Sequence, residues 1–340
     1  MTTDVPRLSL ATLPTRVHRL TGLSEEAGRE VWVKRDDESS TSYGGNKVRK
    51  LEFLLAAAKS RGHESIWTLG AYGSHHAFAT AWYARAAGFE PHALLFPQPM
   101  SPKDCETLRA TASLADVRRL PPTSRSLLAD AAAVLRMSLS PRVAWIPGGG
   151  SSPIGTVGFV EAAFEFADQI HRGDCPKPQA VFVPFGSSGT AAGLALGFAL
   201  KDLDITVVGV RVVPLPVSSR PATLALIARA LHVIRGTAQS IRDARYVAQA
   251  AKLLRLDDTQ LGAGYAHPTE AAHEAVATAQ AQGLALETTY TAKAFAAFLT
   301  RASNASRNAG PILFWQTFAG RLPAISTPRS VPDWVLSVSS

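Results

Sequence analysis

Cysteine is scarce in this sequence of 340 residues, which contains only Cys105 and Cys175. Two cysteines cannot supply the set of disulfides that stabilises small secreted domains, and their spacing matches no CxxC zinc motif. The sequence also has no apolar run of the roughly 18 residues that a membrane-spanning helix needs, and its first residues lack the apolar core of a signal peptide. We therefore expect a soluble cytoplasmic protein with no metal site and no membrane partner.

Clusters of basic residues are absent as well, although the net charge is positive. Lys and Arg number 35 against 27 Asp and Glu, which gives a formal charge of +8. The basic residues are scattered, and aromatic residues do not interleave with them as they do on many nucleic-acid binding surfaces. We expect no nucleic-acid partner, and a surface of this charge suits a small anionic ligand.

Apolar segments of strand length alternate with amphipathic segments of helix length along the chain. With 46% hydrophobic residues, the chain has enough apolar material for two domains. The alternation is typical of βαβ units and parallel sheets, so the predicted fold class is α/β. The predicted strands are Val31–Lys34, Ser65–Leu69, His92–Phe96, Val143–Pro147, Ala180–Phe185, Ile205–Val213 and Ile312–Trp315. The predicted helices are one around Leu51–Ala58 that stops at Gly62, one from Ser74 to Gly88, and Ile154–Ile170, Thr190–Leu200, Ala222–Val233, Ala244–Leu254, Pro268–Gln282 and Ala292–Ala302.

The segment Gly186-Ser187-Ser188-Gly189-Thr190 follows a predicted buried strand and opens a predicted helix. Its glycines allow close approach of the backbone, and the N–H groups of a helix N-terminus favour a phosphate. The hydroxyl groups add further donors. The segment lacks the Gly-Lys-Ser/Thr of a Walker A loop, and the missing GxGxxG spacing disfavours a NAD-dependent oxidoreductase. From spacing alone, an anion site and a ligand-free turn both remain open.

Lys47 follows Gly44 and Gly45 at the start of a helix with an apolar stripe. The positive end of the helix dipole lowers the pKa of a lysine at this place, and a neutral amine attacks carbonyl groups. The alternative is an exposed cationic helix face, because Arg49 and Lys50 lie close to Lys47 in the sequence.

Other polar side chains lie in further loops. The turn before the Ser74 helix offers one hydroxyl and the imidazoles of His75 and His76. Ser74 is equally suited to cap the helix, and adjacent histidines point in different directions on a helix, which disfavours a shared metal. Tyr265 and Tyr290, taken alone, fit core residues with a polar tip better than catalytic acids.

Together and in order, these segments resemble the pyridoxal-phosphate enzymes of the D-cysteine desulfhydrase and 1-aminocyclopropane-1-carboxylate deaminase group. The most specific motif is GGNKVRKLEF at residues 44–53. The similarity continues through Pro14-Thr15, WVKRDD at 32–37, PGGGSSPIGTVGF at 147–159, GSSGTAAGL at 186–194, GYAHPTEAAHEAV at 264–276, YTAKA at 290–294 and LFWQT at 313–317. The resemblance implies fold type II, with two domains that are each a mostly parallel sheet flanked by helices. It implies a large cofactor-binding domain at residues 1–50 and 148–340, with a small domain at 51–147 inserted in it.

The resemblance also implies pyridoxal 5'-phosphate as the cofactor. Lys47 matches the lysine that forms a Schiff base with the cofactor aldehyde. Lys50 and the segment 186–190 match the groups that hold the phosphate, and Thr317 matches a neutral hydroxyl beside the pyridine nitrogen. His75 replaces a family amide that faces the cofactor ring oxygen or the substrate carboxylate, so it is expected to contact both.

Substrate roles carry over in the same way. Ser74 matches the serine near the substrate carboxylate and Cα, Tyr290 matches the active-site tyrosine, and Tyr265 matches the second tyrosine of the pocket. His76 completes the turn and is expected to contact substrate. The expected catalytic residues are Lys47, Ser74 and Tyr290.

Four departures from the family pattern surround this pocket. The turn Gly73-Ser74-His75-His76 replaces Gln-Ser-Asn-His, Thr291 replaces a deaminase glutamate, Phe318-Ala319 replaces two glycines, and Glu287-Thr288-Thr289 replaces Asp-Pro-Val. Thr291 disfavours ring-opening deamination, and the four departures together indicate a shifted substrate or a weakened enzyme.

The expected activity is β-elimination and deamination of a small amino acid to a 2-oxo acid and ammonia, as in D-cysteine desulfhydrases. Lys47, once released from the cofactor, is the nearest base for the Cα proton. The alternatives are an amino-acid racemase or β-replacement enzyme of the same fold, and a weakly active or non-catalytic relative that binds pyridoxal phosphate. Family analogy also predicts a homodimer.

Overall fold

The computed structural model describes residues 3–120, 140–304 and 309–338. The strands are β1 Val17–Arg19, β2 Val31–Arg35, β3 Ser65–Ala71, β4 Glu90–Phe96, β5 Asp116–Arg119, β6 Val143–Ile146, β7 Ala180–Phe185, β8 Thr206–Arg211, β9 Leu254–Asp257 and β10 Ile312–Gln316. The α-helices are α1 Thr21–Ala27, α2 Asn46–Ser60, α3 His75–Ala86, α4 Pro102–Ala112, α5 Pro153–Arg172, α6 Gly189–Leu200, α7 Arg220–Arg242, α8 Arg245–Leu253, α9 Glu270–Ala281, α10 Thr291–Ser303 and α11 Asp333–Val338. Among these helices, none combines the length and apolarity required to span a membrane.

The first compact unit comprises residues 1–5, 11–50 and 151–320. Its six-stranded sheet has the order β1-β2-β10-β7-β8-β9, and only the edge strand β1 is antiparallel to its neighbour. Helices α5–α8 pack on one face of the sheet, and α1, α9 and α10 pack on the other. The central strand β10 is buried at every residue, which confirms the burial on both faces predicted from its apolar sequence.

The second compact unit comprises residues 6–10, 51–150 and 321–340. Its four-stranded sheet has the order β5-β4-β3-β6 and is parallel throughout. The Ser74 side chain accepts a hydrogen bond from the Ala77 N–H at 3.2 Å, so the predicted N-cap of α3 is confirmed. Both units contain mostly parallel sheets flanked by helices, which confirms the α/β class.

The compact units differ from the predicted domain ranges in the placement of the C-terminal residues 321–340. The Arg329 N–H donates to the Ser113 carbonyl at 2.7 Å, and the Trp334 ring lies 5.6 Å from the Tyr72 ring. These contacts bring residues 321–340 into the second unit, whereas the predicted large domain includes them. Residues 121–139 of the predicted small domain lie outside the described residues. The domain ranges 1–50 with 148–340 and 51–147 stay a prediction.

Every predicted strand is present, with ends within two residues of the prediction. The elements that were not predicted are β1, β5, β9, α1, α4 and α11. Helix α4 begins at Pro102, at the end of a Pro-rich segment that suggests a loop. Ser101 forms a capping box with Asp104 there, and proline is tolerated in the first turn because its missing N–H has no helical acceptor.

Candidate functional site

The loop between β7 and α6 lies at the carboxyl end of the six-stranded sheet. Ser188 is the N-cap of α6 and has φ +66°, which is unusual for a residue with a side chain. The Gly189 N–H donates to the Ser187 carbonyl at 3.0 Å. The N–H groups of Thr190 and Ala191 follow in the first helical turn, where an α-helix has no carbonyl acceptor for them. A strained residue at a helix N-terminus is typical of a ligand-binding turn.

Ser151 and Lys50 complete a cradle around this turn. Ser151 Oγ lies 2.8 Å from Ser187 Oγ, accepts the Gly189 N–H at 3.1 Å and accepts from Lys50 Nζ at 3.3 Å. A Cβ atom on Gly189 would lie only 2.5 Å from Ser151 Oγ and 2.9 Å from Lys50 Nζ. The cradle thus requires glycine at 189, and its N–H, hydroxyl and ammonium donors fit a phosphate group.

Lys50 is buried beside the 186–190 turn, where its ammonium group favours the binding of an anion. Burial lowers the pKa of Lys50 well below its ordinary value, and the charge of Lys47 lowers it further. A bound phosphate would oppose both effects, because an adjacent anion favours the charged form of an amine.

Asn46 connects Lys47 to the same cradle. Lys47 Nζ donates to Asn46 Oδ1 at 2.7 Å, and Asn46 Nδ2 donates to Thr190 Oγ1 at 3.2 Å. The Asn46 N–H donates to the Thr317 carbonyl at 3.0 Å, and a Cβ on Gly45 would lie 2.9 Å from that carbonyl oxygen. The structure therefore brings together Lys47, Lys50, Thr317 and the segment 186–190.

The environment of Lys47 favours its neutral amine. Burial lowers the pKa of Lys47 to about 8, although the negative charge of Glu287 raises it. A lysine with this pKa is neutral in a larger fraction near pH 7 than an exposed lysine, so more of the amine is available as a nucleophile or a base.

Tyr290 and Tyr265 lie in the same unit, with ring centroids 5.7 Å apart and an interplanar angle of 71°. A Cβ on Gly186 would lie 3.2 Å from Cε1 of Tyr290, so this ring borders the cradle. Burial and the neighbouring Tyr265 raise the pKa of Tyr290 well above its ordinary value. Tyr290 consequently keeps its proton at neutral pH and can donate a hydrogen bond.

Glu287 orders the backbone that presents Tyr290. Its carboxylate accepts the N–H groups of Thr289 at 2.8 Å, Tyr290 at 3.0 Å and Thr291 at 2.7 Å. Burial raises the pKa of Glu287, while these hydrogen bonds oppose the shift. The carboxylate thereby satisfies donors at the start of α10, as a capping residue does.

Ser74, His75 and His76 belong to the second unit. Ser74 is partly buried and caps α3. His76 is only 5% exposed, and its Nε2 lies 2.9 Å from Thr68 Oγ1, so its ring packs in the interior of that unit. The predicted cofactor and substrate contacts of these three residues stay a prediction.

Asn46, Ser151 and Glu287 belong to the candidate site, although the sequence motifs assign them no role. Asn46 and Ser151 stand inside the quoted motifs GGNKVRKLEF and PGGGSSPIGTVGF, so their position was a usable signal. Glu287 is noted only as a departure from the family pattern, and its contact with three N–H groups depends on a tight turn that spacing alone does not reveal.

Three comparisons with known proteins bear on this site. The profile of a family described as "Pyridoxal-phosphate dependent enzyme" matches residues 8–315. A nocardicin C-9' epimerase from Nocardia uniformis subsp. tsuyamanensis is 36% identical over 326 residues, which cover 93% of this chain and 94% of the relative. A D-cysteine desulfhydrase from Salmonella paratyphi A is 34% identical over 332 residues, with 95% and 96% covered. A crystal structure of an ACC deaminase homologue superposes with a TM-score of 0.72 at 27% identity, covering 98% of this chain and 97% of the other.

Proposed function

Because the chain belongs to the family of pyridoxal-phosphate dependent enzymes, we propose that it is a lyase acting on a small amino acid by β-elimination. The match along most of the chain agrees with the family and the fold type expected from the motifs. The desulfhydrase relative supports the choice of reaction. The observation that carries the proposal is the hydrogen-bonded path from Lys47 through Asn46 to the cradle at Thr190.

The residues of the site fit pyridoxal phosphate. The segment 186–190, Lys50 and Ser151 would hold its phosphate, Thr317 would face its pyridine ring, and the Lys47 amine would join its aldehyde covalently. When bound, the cofactor withdraws electrons from Cα of the amino acid attached to it.

The side chains of the chain then supply proton transfer and orientation. Once released from the aldehyde by the amine of the substrate, Lys47 Nζ would accept the Cα proton, for which its lowered pKa is suited. Tyr290 remains protonated and orients the substrate by donating a hydrogen bond. The Cα–H bond breaks as Lys47 takes the proton, and the substituent on Cβ leaves with its bonding electron pair. Water then hydrolyses the remaining unsaturated amine to a 2-oxo acid and ammonia.

An epimerase or racemase is the second candidate, because one relative of this chain is named as an epimerase. Both reactions begin with removal of the Cα proton by a base at the position of Lys47. They differ in whether Cα is reprotonated on the opposite face or a Cβ substituent is expelled.

The proposal also includes features that rest on family analogy. They are a homodimer, a location in the cytoplasm, the two-domain division, and contacts of Ser74, His75 and His76 with the substrate or the cofactor. Light scattering coupled to gel filtration tests the homodimer, with a mass of twice 36.1 kDa expected.

The absorption spectrum of the purified protein tests the central assignment. We expect a near-visible band with pyridoxal phosphate in the wild-type protein and loss of that band in Lys47→Ala. A panel of D- and L-amino acids with β-substituents, assayed for 2-oxo acid, then tests the reaction. A protein that has the band but forms no 2-oxo acid from any member of the panel would rule out the lyase.

A further inference from the structure

Lys293 is a fully buried lysine to which the proposed function assigns no task. Its Nζ atom donates to the carbonyl oxygen of Leu261 at 2.9 Å and to that of Gly264 at 3.1 Å. The Gly264 N–H closes the same turn by donating to the Leu261 carbonyl at 3.1 Å. The ammonium group therefore binds both ends of the turn that immediately precedes Tyr265.

The backbone around Tyr265 is strained. Gly262, Gly264 and Ala266 have φ values of +58°, +111° and +59°. Glycine adopts such values readily, but Ala266 has a Cβ that makes the left-handed region unfavourable. Conformations of this kind persist only where neighbouring groups hold them, so the segment 262–266 needs an anchor.

The chemistry of Lys293 suits that anchor. A buried ammonium group is unfavourable unless hydrogen bonds and nearby charge compensate for its lost hydration. Burial lowers the pKa of Lys293, whereas the charge of Glu287 raises it. An apolar side chain at position 293 would fill the same space without the cost of removing a charged group from water. The presence of lysine there is explained by the two carbonyl groups to which its amine donates hydrogen bonds.

We propose that Lys293 is a positioning residue that clamps the Leu261–Gly264 turn and thereby presents Tyr265 to Tyr290 at the substrate pocket. The clamp stands on the contacts of Lys293 alone. Its consequence for catalysis rests on the proposed function, in which Tyr265 and Tyr290 contact the substrate.

Hydrogen–deuterium exchange of the holoenzyme tests the clamp without measuring activity. In Lys293→Met, we expect the amides of residues 261–267 to exchange about tenfold faster or more, because two hydrogen bonds to a charged donor are lost. Exchange in α6 and β10, and the cofactor absorbance, should change little.

Lys34→Met is the matched control, since Lys34 is also fully buried and donates to the Thr15 carbonyl at 2.7 Å. It should destabilise the first unit without selectively accelerating exchange at 261–267. If Lys293→Met does not fold, exchange at residues 261–267 is measured in Lys293→Gln, whose side chain is shorter and carries no charge. Equal exchange at 261–267 in wild type and the Lys293 variant, or equal acceleration in both lysine variants, would overturn the clamp.

Ala266→Gly supplies a rescue that a merely structural lysine does not predict. Glycine removes the strain at position 266, so the acceleration of exchange by Lys293→Met should be smaller in the Ala266→Gly background. An undiminished acceleration in the double variant would contradict an anchor against strain.

Kinetics with D-cysteine connect the clamp to the reaction. If Lys293 acts through Tyr265, the loss of kcat/KM in the double variant Lys293→Met, Tyr265→Phe should be less than the product of the two single losses. Multiplicative losses would reject positioning through Tyr265. Absence of 2-oxo acid from D-cysteine and from every other member of the panel would reject the proposed function, while the exchange result would still decide the clamp.

Discussion

The pKa of Lys47 results from two opposing effects, burial and the charge of Glu287. Burial dominates and lowers the pKa to about 8, while the carboxylate raises it. The amine loses its proton as the pH rises through this value, and only the neutral form joins an aldehyde. The rate at which the apoprotein combines with pyridoxal phosphate should therefore rise with pH around 8.

Glu287→Gln should move this pH dependence to lower pH. The substitution removes the charge that raises the pKa of Lys47, so the midpoint falls below about 8. Stopped-flow absorbance of apoprotein mixed with pyridoxal phosphate at a series of pH values measures the midpoint. Glu287→Asp keeps the charge and should keep a midpoint near that of wild type; an equal shift in both variants would mean that the turn geometry is responsible.

Gly189→Ala should weaken the binding of the cofactor by the folded protein. The added Cβ would lie 2.5 Å from Ser151 Oγ and 2.9 Å from Lys50 Nζ, which displaces donors from the phosphate position. We expect the dissociation constant for pyridoxal phosphate to rise about tenfold or more, as loss of one charge-assisted hydrogen bond predicts. Equilibrium titration of the absorbance measures it.

Gly193→Ala, in the same helix, is the matched control. Its Cβ would lie 2.5 Å from the Phe159 Cβ, so overpacking should lower the free energy of unfolding by about 1–3 kcal/mol. The affinity of the folded protein for the cofactor should remain. Unchanged cofactor affinity in Gly189→Ala would contradict the assignment of the cradle.

The segment 186–190 of the cradle was predictable because its residues are contiguous in the sequence. Gly186 to Thr190 follow a strand and open a helix, and this local order already indicates an anion site. Ser151 reaches the same place from a loop far away in the chain, and its contact with Ser187 depends on tertiary packing. No periodicity or spacing rule predicts such a contact.

A buried ionic network connects strand β2, helix α2 and helix α5. Arg49 donates to Asp36 at 2.7 Å and to Glu165 at 3.0 Å, and Lys34 contacts Glu165 at 2.5 Å. Arg49 lies within one turn of Lys47 on α2, so the network fixes the beginning of the helix that carries Lys47. Its members come from distant parts of the sequence, so the motifs do not predict the network.

Glu165→Gln should destabilise the protein at neutral pH. Burial raises the pKa of Glu165, but Arg49 and Lys34 outweigh it and lower the pKa from 4.5 to about 2, which corresponds to about 3 kcal/mol of stability at pH 7. Because the folded pKa is the lower one, this contribution is present above pH 4.5 and is lost as the pH falls toward 2. Urea unfolding of both proteins should show a difference that shrinks across this interval.

Asp168→Asn on the same helix is the control for this prediction. Asp168 is 55% exposed on its side chain and lies 3.5 Å from Lys201, so its loss should change the free energy of unfolding by less than about 1 kcal/mol. A difference between wild type and Glu165→Gln that does not change with pH would assign the effect to packing.

The length and polarity of each strand or helix decided whether the hydrophobic pattern of the sequence predicts it. The long apolar strand β7 agrees with the prediction at both ends, at Ala180 and Phe185. Strand β1 has three residues and carries polar side chains at an edge of its sheet, so it has no apolar run. The helical segment α7 is interrupted at Gly236, whose φ of +70° and ψ of 171° are not helical, so the predicted helix Ala222–Val233 lies entirely before this break.

At the scale of the whole molecule, family and fold follow from many ordered motifs, whereas the reaction follows from few residues. The motifs span the chain, and the family match covers the same range. The choice between elimination and epimerisation depends on how Cα and Cβ of the substrate lie against Lys47 and Tyr290. A family shared by desulfhydrase and epimerase relatives does not determine that placement.

Incubation in deuterium oxide separates the two reactions, because both remove the Cα proton but only epimerisation returns a hydrogen to the opposite face. With D-cysteine, we expect 2-oxo acid and ammonia in equal amounts and no L-cysteine, since the Cβ substituent leaves before Cα is reprotonated. Chiral chromatography with mass detection measures the enantiomers, and free pyridoxal phosphate without protein is the control. Accumulation of deuterated L-cysteine without 2-oxo acid would establish the epimerase instead, and Lys47→Ala should abolish either outcome because both need the same base.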